Sequence, residues 1–213
     1  MTTKNEINYY NNNDEKGIYK EGNIIKRLLF GWRFNILKHH VKGNTLDIGV
    51  GDGYIIPHIR GRFDNYIGMD IAQKRLERAT KMFGTKDMTF KVGDATNIPY
   101  INEQFDIVIA TDVLEHIKKA DTAINETYRV LKRKGNLLVS LPTENKLYRL
   151  FTKSYYNADD KEQRNYYHYY NAKQITNKLS LKFKKVFEIG LPFIIGGINL
   201  NLFMVSKWSK KEK

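Results

Sequence analysis

The chain has no cysteine among its 213 residues. That excludes disulfide bridges, thiolate metal sites and any mechanism that attacks through a cysteine nucleophile. A Walker lysine motif, an H-E-x-x-H helix and a Ser/His/Asp arrangement are missing as well, so several hydrolase and phosphate-transfer classes drop out. No membrane-spanning helix is expected. The longest stretch without a charge, 189–206, contains Pro192, Gly196, Gly197, Asn199 and Asn201 and reads as a strand hairpin. The first 14 residues are polar and Asn-rich, without the basic start and apolar run of a secretory signal, and a cytoplasmic address is the expectation.

Acidic residues are also in deficit, 23 against 36 basic ones, which leaves a formal charge of +13. Such a charge suits nucleic acid, an anionic membrane surface or an acidic small substrate, and its sign does not choose among them. The basic residues are scattered over 38–42, Lys132-Arg133-Lys134, 182–185 and the tail from Lys207, so they read as a solvated Lys-rich surface. What is plentiful is apolar material, 41% of the chain, enough for one sizeable core and one domain with local additions.

From Asn44 the pattern alternates short aliphatic runs with amphipathic stretches, which predicts strand and helix units feeding a parallel sheet. Strands are expected at 45–49, 66–70, 89–93, 105–110 and 136–141, the last closed by Pro142, with helices at 54–61 and 72–83. A helix over 120–132 is expected to stop at Gly135, with Lys132-Arg133-Lys134 over its negative end and the glycine as its left-handed cap. Residues 143–170 hold seven tyrosines and little periodicity and read as an insertion or lid. A helix over 171–179 capped by Asn171 and two final strands, 182–188 and 201–208, complete the reading. The expected fold is α/β: a doubly wound, mostly parallel seven-stranded sheet with an antiparallel C-terminal hairpin, an N-terminal helical cap (1–40) and a lid within 143–180 of the main domain (41–213).

The chemistry sits in Leu46-Asp47-Ile48-Gly49-Val50-Gly51-Asp52-Gly53. A strand, a glycine-rich turn and a helix start bring a ligand against bare backbone amides, because glycine turns sharply without a side chain in the way. The spacing Gly49-x-Gly51-x-Gly53 differs from the G-x-G-x-x-G of dinucleotide enzymes. It resembles the first motif of class I, Rossmann-like methyltransferases, which bind S-adenosylmethionine there. Three further segments follow in that family's order, and the resemblance covers roughly 41–142. Asp70, ending Tyr66-Ile67-Gly68-Met69-Asp70, stands where the family's carboxylate accepts the ribose hydroxyls, with Ile71 beside it. A helix cap for Ala72 onward suits Asp70 equally. Asp94 and Ala95, in Gly93-Asp94-Ala95-Thr96, match the segment that reads the adenine edge, although a surface turn explains Gly-Asp as well. Thr111 and Asp112, after Phe105-Asp106-Ile107-Val108, match the segment beside the sulfonium.

The resemblance thus implies S-adenosyl-L-methionine as cofactor, S-adenosyl-L-homocysteine as product, and Asp47, Gly49, Gly51, Gly53, Asp70, Ile71, Asp94, Ala95, Thr111 and Asp112 as cofactor-binding residues. Arg33, ahead of the first strand, stands where related small-molecule enzymes place a basic group near the donor's carboxylate. His116 and His168 are the candidate catalytic groups, since imidazole takes a proton near neutral pH. Packing or surface histidines explain the same positions. Asp112-Val113-Leu114-Glu115-His116 also resembles ubiquinone-type O-methyltransferases, in which these acidic residues and the histidine hold a divalent cation. Asp112 stands there in place of glutamate, and no metal ligand is assigned.

The function expected is methyl transfer from S-adenosylmethionine to an oxygen or nitrogen of a small molecule by in-line displacement. The alternatives are methylation of RNA or another anionic macromolecule, and a cofactor-binding protein without turnover. The Asn/Asp-Pro-Pro-aromatic string of exocyclic base-amine methylation is absent, with Leu141-Pro142-Thr143 in its neighbourhood. A membrane-peripheral variant would use residues 191–195 as an exposed apolar loop.

Overall fold

The alternation of side chains along the strands decides the architecture. In β4, Phe105–Thr111, Val108 and Ala110 enter one apolar cluster while Ile107 and Ile109 enter another. Both faces of this strand are therefore covered, as a central parallel strand requires. The computed structural model describes residues 7–8, 10–11, 24–145, 148, 168–191 and 201–211. Its other strands are β1 (Asn44–Ile48), β2 (Asn65–Asp70), β3 (Met88–Val92), β5 (Leu131–Pro142), β6 (Phe183–Leu191) and β7 (Phe203–Lys210). They form one seven-stranded sheet in the order β3-β2-β1-β4-β5-β7-β6, parallel except for β7, which runs antiparallel to β5 and β6.

Helices cover both faces. On one, α1 (Ile24–Leu37) contributes Phe34 and Leu37, α2 (Ile56–Ile59) its two isoleucines, and α3 (Gln73–Phe83) Leu76. On the other, α4 (Ala120–Val130) contributes Ala123 and Ile124, and α5 (Ala172–Lys182) Ile175 and Leu179. Each fully buried aliphatic side chain stabilises the fold by about 1.5–3 kcal/mol relative to exposure. The strand order reverses between β1 and its two neighbours, β2 and β4, so a crevice opens beyond their C-terminal ends.

Most expected elements stand within a few residues of their sequence bounds. Asn171 caps α5 through a capping box: its side chain accepts from the Gln174 amide, and the Gln174 side chain accepts from the Asn171 amide. The helix expected over 54–61 shrinks to the single turn Ile56–Ile59, confined between Gly53 and Gly61, both at positive φ.

The end of α4 needs a correction. The helix stops at Val130 rather than running on to a Gly135 cap, and β5 begins at Leu131. Leu131 pairs with Phe105 and Asn136 with Ile107, so residues 132–135 bulge out of the ladder. Gly135 is not among the positive-φ glycines. The Lys132 ammonium goes to the Asp106 carboxylate on the neighbouring strand, 2.8 Å away, and not to helix carbonyls. Side-chain pairing between strands overrides the cation-plus-glycine signal.

No described helix is long and apolar enough to cross a membrane. Of the expected apolar loop 191–195, Leu191 is buried in the core and the rest lies outside the described residues. So does most of the expected lid, residues 146–147 and 149–167, as do residues 1–6, 9 and 12–23 of the expected N-terminal cap.

Candidate active site

The glycine turn after β1 is tied to β2 from both ends. Gly49 and Val50 amides donate to the Met69 carbonyl at 2.7 and 3.2 Å, and the Gly51 amide donates to Asp70 Oδ2 at 2.9 Å. Glycine is required here by conformation, and at Gly49 by space as well. Gly49 has φ +72, and a Cβ on it would lie 2.4 Å from Val113; Gly51 has φ +53, and a Cβ would lie 2.8 Å from the Arg75 guanidinium. Asp52 anchors the turn to α3 through Arg78 at 2.6 Å and Arg75 at 3.4 Å.

Beyond this turn lies an open cleft of about 920 Å³, mouth included. Gly49, Asp70, Ile71, Asp94, Ala95, Asp112 and His116 all line it, so seven of the sequence-derived site residues converge. Asp70 stands on the cleft wall, and its Oδ1 accepts from the Ala72 amide at 2.8 Å just ahead of α3. Two backbone donors fix this carboxylate in place. Asp94 Oδ1 accepts from both the Thr96 amide and hydroxyl at 2.8 Å, which orients it in the same way.

Asp112 adopts φ +52, a left-handed conformation unusual outside glycine, held by its backbone N–H, which donates to the Ser140 carbonyl at 2.9 Å. It forms an ion pair with Arg33. The Arg33 guanidinium is packed between the rings of Phe203 and Phe34, 4.4 and 4.7 Å away, and is 2% exposed. Arg33 thus stands behind Asp112 rather than on the cleft wall. Thr111 ends β4, and Gly51, Gly53 and Thr111 are likewise behind the wall.

Asp47 lies off the wall too. Its side chain is fully buried and accepts the Tyr66 hydroxyl at 2.6 Å, while Oδ1 has no partner among the described residues. Burial, with the charge of Asp70, pushes its carboxyl up to about 7, against the lowering effect of the Tyr66 bond.

A second cluster borders the cleft. Glu115 is 1% exposed, and neither carboxyl oxygen has a hydrogen-bond partner among the described residues. Burial, then the charge of Asp112, raises it well above the usual carboxylate range. His116 sits on the wall with Nε2 4.0 Å from Glu115 Oε1, and the His168 ring meets it edge-on at 4.4 Å between centroids. His168 Nδ1 in turn bonds Glu144. Glu115, His116 and His168 offer ligand atoms within 4.8 Å of one another. A divalent cation fits that donor set, and there it would polarise an acceptor oxygen or nitrogen.

Sequence reasoning missed Arg75, which lines the cleft, and Glu144. Arg75 reads as one polar residue of an amphipathic helix, and Glu144 meets its partner across 24 residues. The buried state of Glu115 had no local signal either.

Residues 46–139 match the family model described as a methyltransferase domain. That segment is similar to a methyltransferase domain, and the fold is Rossmann-like. No curated protein matches the sequence. Among solved structures, the chain is similar to the N-methyltransferase NodS of Bradyrhizobium japonicum bound to S-adenosylhomocysteine, at 15% identity and a TM-score of 0.71, covering 98% of each chain. The PH0226 protein of Pyrococcus horikoshii gives 20% identity and a TM-score of 0.70, covering 96% of this chain and 99% of that one. The CurJ carbon methyltransferase gives 18% and 0.67, covering 91% of this chain and 57% of that one. At these identities the likeness is one of fold, and it spans nitrogen and carbon acceptors.

Proposed function

We propose that the chain transfers the methyl group of S-adenosylmethionine to an oxygen or nitrogen of a small molecule. The observation that carries this reading is the convergence of Gly49, Asp70, Asp94 and Asp112 on one cleft at the strand-order switch of a methyltransferase domain. In this reading Asp70 accepts the ribose hydroxyls, Ile71 flanks the adenine, and Asp94 with the Ala95 amide reads the adenine edge. The bare backbone of Gly49, Gly51 and Gly53 lets the methionine portion approach, with Asp47 supporting the turn from behind. Asp112 and Arg33, already an ion pair, complement the ammonium and carboxylate of that portion. Thr111 ends the strand that aims Asp112.

The sulfonium is an activated donor, so the protein has only to align the acceptor, exclude water and take a proton where one is lost. The acceptor lone pair attacks the methyl carbon in line, and the carbon–sulfur bond breaks with its electrons passing to sulfur. His116, on the cleft wall, and His168 behind it are the groups for the proton. Tyr10 on the wall, and the Lys74 amide bonded to Asn11 at 3.1 Å, support an N-terminal cap that closes over the donor.

The small-molecule acceptor is preferred over RNA because the basic residues are spread and several are engaged, Lys132 with Asp106, Lys178 with Asp121 and Lys185 with Glu188. Transfer of radiolabelled methyl from S-adenosylmethionine to a metabolite panel and to total RNA tests this. Label in small molecules is expected, and label in RNA alone would overturn the acceptor class.

A further inference from the structure

Basic residues dispersed along the sequence meet in the fold at the end of the sheet opposite the cleft. The cleft opens beyond the C-terminal ends of the parallel strands. At their other end, β5 starts with Leu131 and the run Lys132-Arg133-Lys134, α5 passes into β6 through Lys182, Lys184 and Lys185, and β7 finishes at Lys210, with Lys211 next to it. The register sets these segments side by side. Ser209 pairs with Asn136 on one side and Lys184 on the other, Lys210 pairs with Phe183, and the Lys211 amide donates to the Lys182 carbonyl at 3.3 Å. No Asp or Glu occurs in 127–143, 180–187 or 201–211.

The carboxylates that reach this corner leave it cationic. Glu103 is shared between Arg133 at 3.7 Å and Lys210 at 3.6 Å, Asp106 takes Lys132, and Glu188 takes Lys185. Lys134, Lys182, Lys184 and Lys211 have no carboxylate within ion-pair reach among the described residues. Two ammonium groups gather on one ring, with Lys210 and Lys182 4.6 and 5.8 Å from the centroid of Tyr128. Crowded like charges raise the free energy of the isolated chain and favour any complex with an anion.

Three observations select the anion. Strand β6 is an edge of the sheet, and Lys184 and Lys185 on it would face the same lysines of a second copy if two such edges paired. The rings at this corner are already covered, Tyr128 by Lys210 and Lys182, and the fully buried Trp208 by Lys185 at 5.3 Å, so neither offers a face to a nucleobase. Aliphatic side chains stand exposed among the lysines instead, Leu181 at 73% and Val186 at 54%. Ammonium groups around exposed aliphatic groups match an anionic bilayer, whose phosphates meet the first and whose interface takes up the second.

We propose that this corner docks the chain on an anionic phospholipid surface, with the cleft turned to the aqueous side. Such docking is independent of the methyl-transfer reading above. It also leaves the donor site far from the charged surface.

The test sediments the full chain with vesicles of phosphatidylcholine alone or of phosphatidylcholine mixed with phosphatidylglycerol. Binding is expected to the mixed vesicles only and is expected to be lost at about 0.5 M salt. A lysine at an anionic surface contributes about fivefold to the affinity, so Lys134→Gln/Lys184→Gln should weaken binding about 25-fold. Leu181→Gln should weaken it at least about threefold through the lost aliphatic contact. Melting temperature and S-adenosylhomocysteine affinity are expected to hold in both variants. Lys81→Gln/Lys86→Gln removes the same charge near the opposite edge strand, β3, and should leave vesicle binding within about twofold.

Equal binding to phosphatidylcholine alone, or binding to neither vesicle, overturns the proposal. So does an equal loss in Lys81→Gln/Lys86→Gln, since net charge rather than this corner would then be read. Retention of RNA on a filter under conditions where vesicles are not bound overturns it too, because the occupant is then a nucleic acid.

Discussion

Asp47 and Glu115 each bury a carboxyl without enough partners, and each thereby ties stability to pH. The Asp47 carboxyl moves from its ordinary 3.8 up to about 7, chiefly through burial. The folded chain therefore holds a proton that the unfolded chain has released between those values. Stability is full below about pH 4 and falls as pH rises toward 7, by about 4 kcal/mol at most. Asp47→Asn keeps an acceptor for Tyr66 and removes the titration. Its melting temperature should exceed that of the unaltered chain at pH 8, and the gap should close near pH 4. Glu115→Gln acts in the same direction, because burial and the Asp112 charge raise that carboxyl also. At this scale the sequence was informative wherever a residue's role depends on near neighbours. Asp70, Asp94 and Asp112 each stand at the C-terminal end of a strand or within two residues of it, so their order was readable. The Arg33–Asp112 pair and the Glu144–His168 contact join residues far apart in the chain, and no local pattern encodes them.

Elements were readable where burial repeats with a period. Two-sided apolar runs such as Ile107-Val108-Ile109-Ala110 admit one interpretation, and Asn171 with Gln174 three residues on marks a helix start. The α4 to β5 junction was misread because lysines and a glycine satisfy the rules for a helix end while Leu131 is drawn into the sheet by Phe105. Its glycine serves space instead: a Cβ on Gly135 would lie 3.0 Å from the Lys132 carbonyl oxygen and 3.2 Å from that of Asp106. Gly135→Ala should accordingly cost about 1–3 kcal/mol in denaturant unfolding. Were Gly135 a left-handed cap, Gly135→Asn would be tolerated; a cost equal to that of alanine is expected. For the glycine turn, Gly51→Ala strains a backbone held at φ +53 and displaces the Arg75 guanidinium on the cleft wall. The expected outcome in calorimetry is at least a tenfold loss of S-adenosylhomocysteine affinity with the fold retained by circular dichroism.

At the scale of the whole molecule, the seven-stranded, mostly parallel sheet and the hairpin followed from the element sequence, because parallel units must cross over, while the strand order that creates the crevice comes from the structure. The charge of +13 said little, since it is dispersed. Donor binding should therefore be nearly independent of salt. From about 50 to 200 mM salt its affinity is expected to change less than about threefold, whereas a contact built on 6–10 phosphates would lose about 10³-fold or more. The account stands or falls on the donor lying in the cleft against Asp70. Calorimetry of S-adenosylhomocysteine with the unaltered chain and Asp70→Ala tests this most directly, with thermal unfolding as the control for fold. A loss of two hydrogen bonds to a charged group predicts at least about 100-fold weaker binding. Undiminished affinity in a folded Asp70→Ala protein would contradict it.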